Sequence, residues 1–142
     1  MNDTAYEAAL RILVRRPHAE KELRTKLVRK EFSRDQIAEA VARLKNEKHL
    51  DDAKLARDLV RWFMDYRPMG RRGVRFKMMQ RGFLASDIEA ALAENYPAEL
   101  EKKLARTLME RRPRATREKT ARFLLSRGFA QDVVLAVLDA GA

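Results

Sequence analysis

The chain contains no cysteine. Disulfides, thiolate metal sites and cysteine nucleophiles are thereby excluded together, and the composition fits a reducing cytosol. Its two histidines, His18 and His49, are far apart and form no metal-spaced pair. His18 is expected at the start of a helix, as a surface or capping residue. No phosphate-binding P-loop and no dinucleotide-binding glycine fingerprint occurs. Carboxylates are plentiful, but they alternate with bases on amphipathic stretches and pair most simply as i, i+4 ion pairs. A nuclease or nucleotide-hydrolysing enzyme therefore has no visible foundation. The expectation is a protein without catalytic residues, metal or cofactor.

Other scarcities are as informative. The opening run from Met1 to Glu7 lacks the basic end and apolar core of a signal peptide, so none is expected. No apolar stretch approaches the ~18 residues needed to cross a bilayer. A cytoplasmic chain with no membrane contact is expected. Only five glycines and four prolines interrupt 142 residues. β-Branched residues are few and never alternate over a usable length, so strands are not expected. Ala, Leu, Arg, Lys and Glu predominate, all good helix formers.

The helices recur. Phe32, Phe83 and Phe129 set a register in which the residue five places later is aliphatic each time (Ile37, Ile88, Val134). So is the residue nine places later (Val41, Leu92, Leu138), and the residue five places earlier is apolar (Leu27, Met78, Leu124). An Arg-Pro pair lies upstream in every copy: Arg16-Pro17, Arg67-Pro68 and Arg112-Pro113. The last two copies share Arg-Gly-Phe, at 81–83 and 127–129. Each unit reads as helix, Arg-Pro turn, helix, Gly-Phe turn, helix. The fold expected is all-α: three tandem three-helix repeats, at 1–50, 51–97 and 98–142, in a short, elongated, curved array. Phe32, Phe83 and Phe129, with Leu27, Met78 and Leu124, are the expected core plugs. Ser33 to Gln36 has capping-box spacing, and Asp51 or Asp52 can cap the helix that opens the second unit. That helix carries Leu55, Leu59, Val60, Trp62, Phe63, Met64 and Tyr66, too much apolar surface for one face. It is expected to be covered by a neighbour on each flank, with a partner patch at Trp62 and Tyr66 as the alternative.

The net charge of +10 points to a polyanion or an acidic protein surface as partner. The excess is segregated. Residues 61–82 hold Arg61, Arg67, Arg71, Arg72, Arg75, Lys77 and Arg81 against Asp65 alone. Residues 83–101 hold five acids and no base. Residues 102–127 hold ten bases, among them Arg106, Arg111, Arg112, Arg114, Arg117, Lys119, Arg122 and Arg127, against Glu110 and Glu118. The two basic blocks occupy the same place in units two and three. If the units stack alike, these fifteen residues merge into one stripe, while the first unit, nearly balanced in charge, acts as an end cap or orienting contact. Arginine's preponderance suits bidentate contact to carboxylate or phosphate.

Three local patterns resemble the RecX family, bacterial regulators of the RecA recombinase. Residues 16–27, from Arg16-Pro17-His18 through Glu22-Leu23 to Lys26-Leu27, resemble its R-x-H-S-x-x-E-L-x-x-K-L signature. Residues 50–56, Leu-Asp-Asp-Ala-Lys-Leu-Ala, resemble its L-D-D element. Gly70, Val74, Met78 and Arg81-Gly82-Phe83 follow a third, looser pattern. The likeness runs from about residue 5 to residue 138. Ala19 stands where the family has a serine that would cap helix two, so about 1 kcal/mol of capping is expected to be lost there. Leu55 replaces the usual aromatic. The resemblance implies three three-helix repeats and binding to the RecA–DNA filament along its groove, with inhibition of filament growth, ATPase and strand exchange in DNA repair and recombination. It names no contact side chains. A monomer is expected, with single- or double-stranded DNA a further candidate partner through its phosphates. A stand-alone, sequence-independent DNA-binding protein and a scaffold for an acidic partner are the competing readings.

Overall fold

The computed structural model describes residues 3–140. Among them are nine helices and no strand: α1 (Ala5–Arg15), α2 (Glu20–Arg29), α3 (Arg34–Asn46), α4 (Asp52–Tyr66), α5 (Arg71–Gln80), α6 (Ala85–Asn95), α7 (Ala98–Glu110), α8 (Arg117–Ser126) and α9 (Gln131–Ala140). They pack in threes, in chain order, around three separate apolar cores.

Local chemistry starts the helices. Thr4 accepts the Glu7 N–H at 3.1 Å, and Thr116 accepts that of Lys119 at 3.2 Å. Ser33 and Gln36 exchange reciprocal side chain-to-backbone bonds at 3.1 and 2.8 Å, closing the box that opens α3. Asp51, not Asp52, caps α4 by accepting the Lys54 N–H. The second helix of each unit ends in a residue of positive φ just before the marker phenylalanine: Glu31, Gly82 and Gly128. In each copy the phenylalanine N–H donates back to the carbonyl of Leu27, Met78 or Leu124, closing the helix end.

The cores follow the register. Leu23, Leu27, Ile37, Val41 and Leu44 fill the first, with Phe32 only half-buried at its edge. Val60, Phe63, Val74, Met78, Phe83, Ile88 and Leu92 fill the second. Leu108, Leu124, Phe129, Val134 and Leu138 fill the third. Phe32 is thus a lesser plug than Phe83 and Phe129, which are 5% and 1% exposed. Tyr96, which the register does not mark, is fully buried in the second core and donates its hydroxyl to the Met69 carbonyl at 2.7 Å. Burial raises its pKa above the ordinary 10.0.

The expectation that α4 is covered on all sides is corrected. Phe63 is buried, but Trp62 and Tyr66 are 43% and 72% exposed and lean on each other at 5.9 Å between ring centroids.

Two like-built junctions connect the units. At the first, the Glu20 N–H that opens α2 donates to Asp52 of α4 at 3.0 Å, and Arg81 at the end of α5 pairs with Glu22. At the second, the Arg71 N–H that opens α5 donates to Glu101 of α7 at 2.8 Å, and the Gly70 N–H donates to the Arg127 carbonyl at the end of α8. In both cases an acid from the next unit's first helix caps the second helix of the preceding unit, satisfying an orphan donor at its positive end. The turn closing the next second helix abuts the same place. The helices α2, α5 and α8 therefore follow one another in a row.

Ala19 belongs to this arrangement. It is fully buried and packs into the core of the second unit. Its N–H still reaches Glu22 at 3.1 Å, and Asp52 takes the next N–H. The expected loss of capping is therefore only half right: the serine hydroxyl is missing, but the helix start is capped from the neighbouring unit.

Candidate partner interface

The fifteen basic residues of units two and three do not form one uniform stripe. Four are held by carboxylates. Arg61 pairs with Asp58 on its own helix, Arg75 makes a two-pronged contact with Glu89 of α6 at 2.7 and 3.0 Å, Arg81 reaches Glu22, and Arg117 reaches Asp139 of α9. Hydrogen bonding to Arg75, against some cost of burial, holds Glu89 below the ordinary carboxylate range. Arg71 is half-buried, with its Nε buried and unpartnered. The acids of the third helices thus reach into the basic row instead of lying apart from it.

The remaining cations are exposed, and among the described residues none of them has an ion-pair partner: Arg67, Arg72, Lys77, Arg106, Arg111, Arg112, Arg114, Lys119, Arg122 and Arg127. Two of them share one aromatic ring. Arg112 and Arg127 both stack over the Phe123 ring, 4.2 and 5.0 Å from its centroid. This brings the Arg-Pro turn of unit three to the end of α8. From there a groove of about 550 Å³ crosses the second junction, lined by Arg72, Lys77 and Arg127 with the apolar Met69, Phe76 and Leu125. Phe76, Met79 and Leu125 are exposed along the row.

Glycine makes this groove. The backbones of the two units touch at Gly73 and Gly128, where the Gly73 N–H donates to the Gly128 carbonyl at 3.3 Å. A Cβ on Gly128 would lie 2.4 Å from the Cα of Gly73, and one on Gly70 would lie 2.3 Å from the Gly128 carbonyl oxygen. No side chain fits there, so the second helices can meet end to end.

The first unit holds a site that the charge sums conceal. Between α1 and α2 lies a cleft of about 590 Å³ lined by Arg11, Arg15, Arg16, Lys26, Arg29 and Lys30, with Ala8, Ile12 and His18 completing its wall. His18 is not a surface or capping residue: it is 3% exposed. Its Nδ1 donates to the Arg16 carbonyl at 2.9 Å and its Nε2 accepts from the Lys26 ammonium at 2.6 Å. Burial holds its pKa below the ordinary 6.5 despite the Arg16 bond, and the Arg16 and Lys26 charges add to the effect. The ring is neutral in this arrangement. A helical wheel signals the cleft, since Arg11 and Arg15 share one face of α1, and Lys26, Arg29 and Lys30 one face of α2.

No helix among the described residues is long and apolar enough to cross a membrane. Comparison with known proteins agrees with the repeat. The family model described as RecX, first three-helix domain, matches residues 5–44. The regulatory protein RecX of Chlorobaculum tepidum is 35% identical over 136 residues, covering 92% of this chain and 84% of the relative. That of Pseudomonas tolaasii is 32% identical over 139 residues, covering 92% and 87%. That of Caldanaerobacter subterraneus is 32% identical over 123 residues, and there the chain spans 62% of the relative's length. The crystal structure of RecX from Lactobacillus salivarius superposes with a TM-score of 0.86 at 24% identity, covering 96% of this chain and 93% of that one. A second crystal structure, of a regulatory protein RecX, gives 0.78 over 95% of this chain and 70% of the other. With a repeat of this form and identity sustained over nearly the whole of two relatives, the chain belongs to the RecX family of regulatory proteins.

Proposed function

We propose that the chain is a non-catalytic modulator of the RecA recombinase, which binds the RecA–DNA filament and limits its growth, ATPase and strand exchange. In this reading it is a cytoplasmic monomer of three units, 1–50, 51–97 and 98–142, and needs no cofactor. The observation that carries the reading is the row of second helices across the second junction. Arg72, Lys77 and Arg127 stand there without carboxylate partners among the described residues, beside exposed Phe76 and Leu125. A like-charged surface repels itself in the free protein, so an unpaired row of this kind suits an anionic partner. The apolar side chains between the cations favour a protein surface as part of that partner, since bare phosphates offer them nothing.

The third helices do not suit a reading in which they enter a DNA groove. The stretches 84–95 and 131–140 carry acids and no base, which phosphates would repel. Phosphate contact along the row remains compatible with the filament reading, because the filament itself contains DNA.

The test is ATP hydrolysis by preassembled RecA–single-stranded DNA filaments. Adding the chain is expected to lower the rate in a dose-dependent way. An unchanged rate at saturating protein rejects the reading. Tight binding to bare DNA that survives high salt would favour a stand-alone DNA-binding protein instead.

A further inference from the structure

We propose that the cleft between α1 and α2 binds a chain of linked phosphates, supplied either by a free oligophosphate or by a nucleic-acid backbone. The proposal is independent of the recombinase reading and concerns a different surface, in the unit with the most balanced charge.

Two helix faces, carrying Arg11 and Arg15 on one wall and Lys26, Arg29 and Lys30 on the other, enclose about 590 Å³, and Arg16 closes the end. No carboxylate lines the space. Arg11 has Asp3 and Arg16 has Glu22, but Arg15, Lys26, Arg29 and Lys30 have no carboxylate partner among the described residues. Like charges four residues apart on one helix destabilise it, and both walls contain such a pair. The free protein carries this repulsion, and an anion between the walls removes it.

His18 holds one of these cations without an acid. A buried acid behind Lys26 would anchor the ammonium equally well, but it would also neutralise the cleft. The imidazole anchors Lys26 without cancelling its charge, because Nε2 accepts while Nδ1–H is committed to the Arg16 carbonyl. Lys26 is therefore held in place with no acid beside it, its other two N–H donors free for a ligand. Histidine, Lys26 and the Arg16 backbone form one connected unit that ties the end of the cleft to its far wall.

Four unpaired cations from two walls exceed what one phosphate monoanion or carboxylate can answer, whereas two or three linked phosphates span both walls. Guanidinium groups pair phosphate oxygens bidentately. The apolar lining is only Ala8 and Ile12, with the stems of the basic residues, so nothing in the cleft holds a nucleobase. Recognition should follow charge and be indifferent to the base. Lys26 and Arg29 also line the groove at the first junction, beside Arg81 and Gly82, so a polymeric phosphate could continue from the cleft onto the row of second helices.

The experiment titrates the full chain with inorganic tripolyphosphate, by calorimetry and by the imidazole resonances of His18. The expected result is one site per chain and a shift of the His18 signals as the phosphates draw on Lys26. Arg15→Ala with Lys30→Ala removes two exposed charges that have no ion-pair partner among the described residues. Affinity should fall by at least about tenfold, two charge-assisted contacts being lost. Arg111→Ala with Arg114→Ala, in the turn of unit three, should leave it unchanged. ATP and GTP should compete equally. Displacement by single-stranded oligonucleotide at equal phosphate concentration identifies the backbone as source, and resistance to it identifies a free oligophosphate. Absence of binding, wild-type affinity in the Arg15/Lys30 variant, or unmoved His18 signals would overturn the proposal, and none of these bears on filament inhibition.

Discussion

His18 shows how one side chain couples packing to protonation. Its pKa is depressed in the folded chain, burial being the main cause, so the unfolded state binds the proton more readily. The stability it contributes is fully present above the ordinary value of 6.5 and declines as pH falls below it. The carboxylates act lower. Burial works against ionisation of Glu20 and Glu22, but Lys45 and Arg24 outweigh it for the first, and the Ala19 N–H, Arg81 and Arg16 for the second. Both sit below 4.5, and their contribution is lost only as pH falls beneath that. Asp52, raised above 3.8 by burial, works in the opposite direction. Thermal melts between pH 6.5 and 4.5 test the histidine. The melting temperature should fall across this window, and His18→Asn should flatten the fall. An equal decline in the variant would show that His18 is not the group responsible. None of this was legible in the sequence, where His18 reads as a surface residue, because its burial depends on a lysine eight positions away and on the carbonyl of the turn before it.

At the scale of the element, the repeat was legible because its signals are local: the phenylalanine register, the aliphatic spacing and the Arg-Pro turns each lie within one unit. The departures arise where units meet. Glu31 occupies the left-handed position that is glycine in the other two copies, with φ 68°, and it is exposed. Gly82 faces the side chain of Lys21, and Gly128 the backbone of Gly73. Glycine there serves both conformation and contact. Glu31→Gly should thus stabilise the chain by up to about 1 kcal/mol, relief of the left-handed strain exceeding the added freedom of the unfolded chain. Gly128→Ala should destabilise it and loosen the second junction. Urea denaturation measures both, and a neutral Gly128→Ala would contradict the end-to-end contact of α5 and α8. In the cores, Phe83→Ala should cost about 3–5 kcal/mol, and Phe32→Ala less, since that ring is only half-buried. Equal losses would mean that the first core relies on Phe32 as fully as the second relies on Phe83.

At the scale of the whole molecule, charge segregation along the chain located two basic blocks but could not sort their members. Ion pairs such as Arg75–Glu89 and Arg117–Asp139 join residues distant in sequence, so Arg75 and Arg117 read as free when they are not. The opposite error occurred in unit one, where acids outside the cleft balance bases inside it in any segment sum. The exposed cations at the second junction, not the basic blocks as a whole, make the informative variant. Replacing Arg71, Arg72 and Arg75 together would disturb a half-buried side chain and an ion pair as well as a surface. Arg72, Lys77 and Arg127 are exposed and have no carboxylate partners among the described residues. The most direct measurement is the affinity of the Arg72→Ala, Lys77→Ala, Arg127→Ala chain for RecA–single-stranded DNA filaments, taken beside its thermal melt. The account predicts filament binding weakened by at least about tenfold, as for loss of a few charge-assisted contacts, with melting nearly unchanged. Wild-type affinity in a folded variant would contradict it.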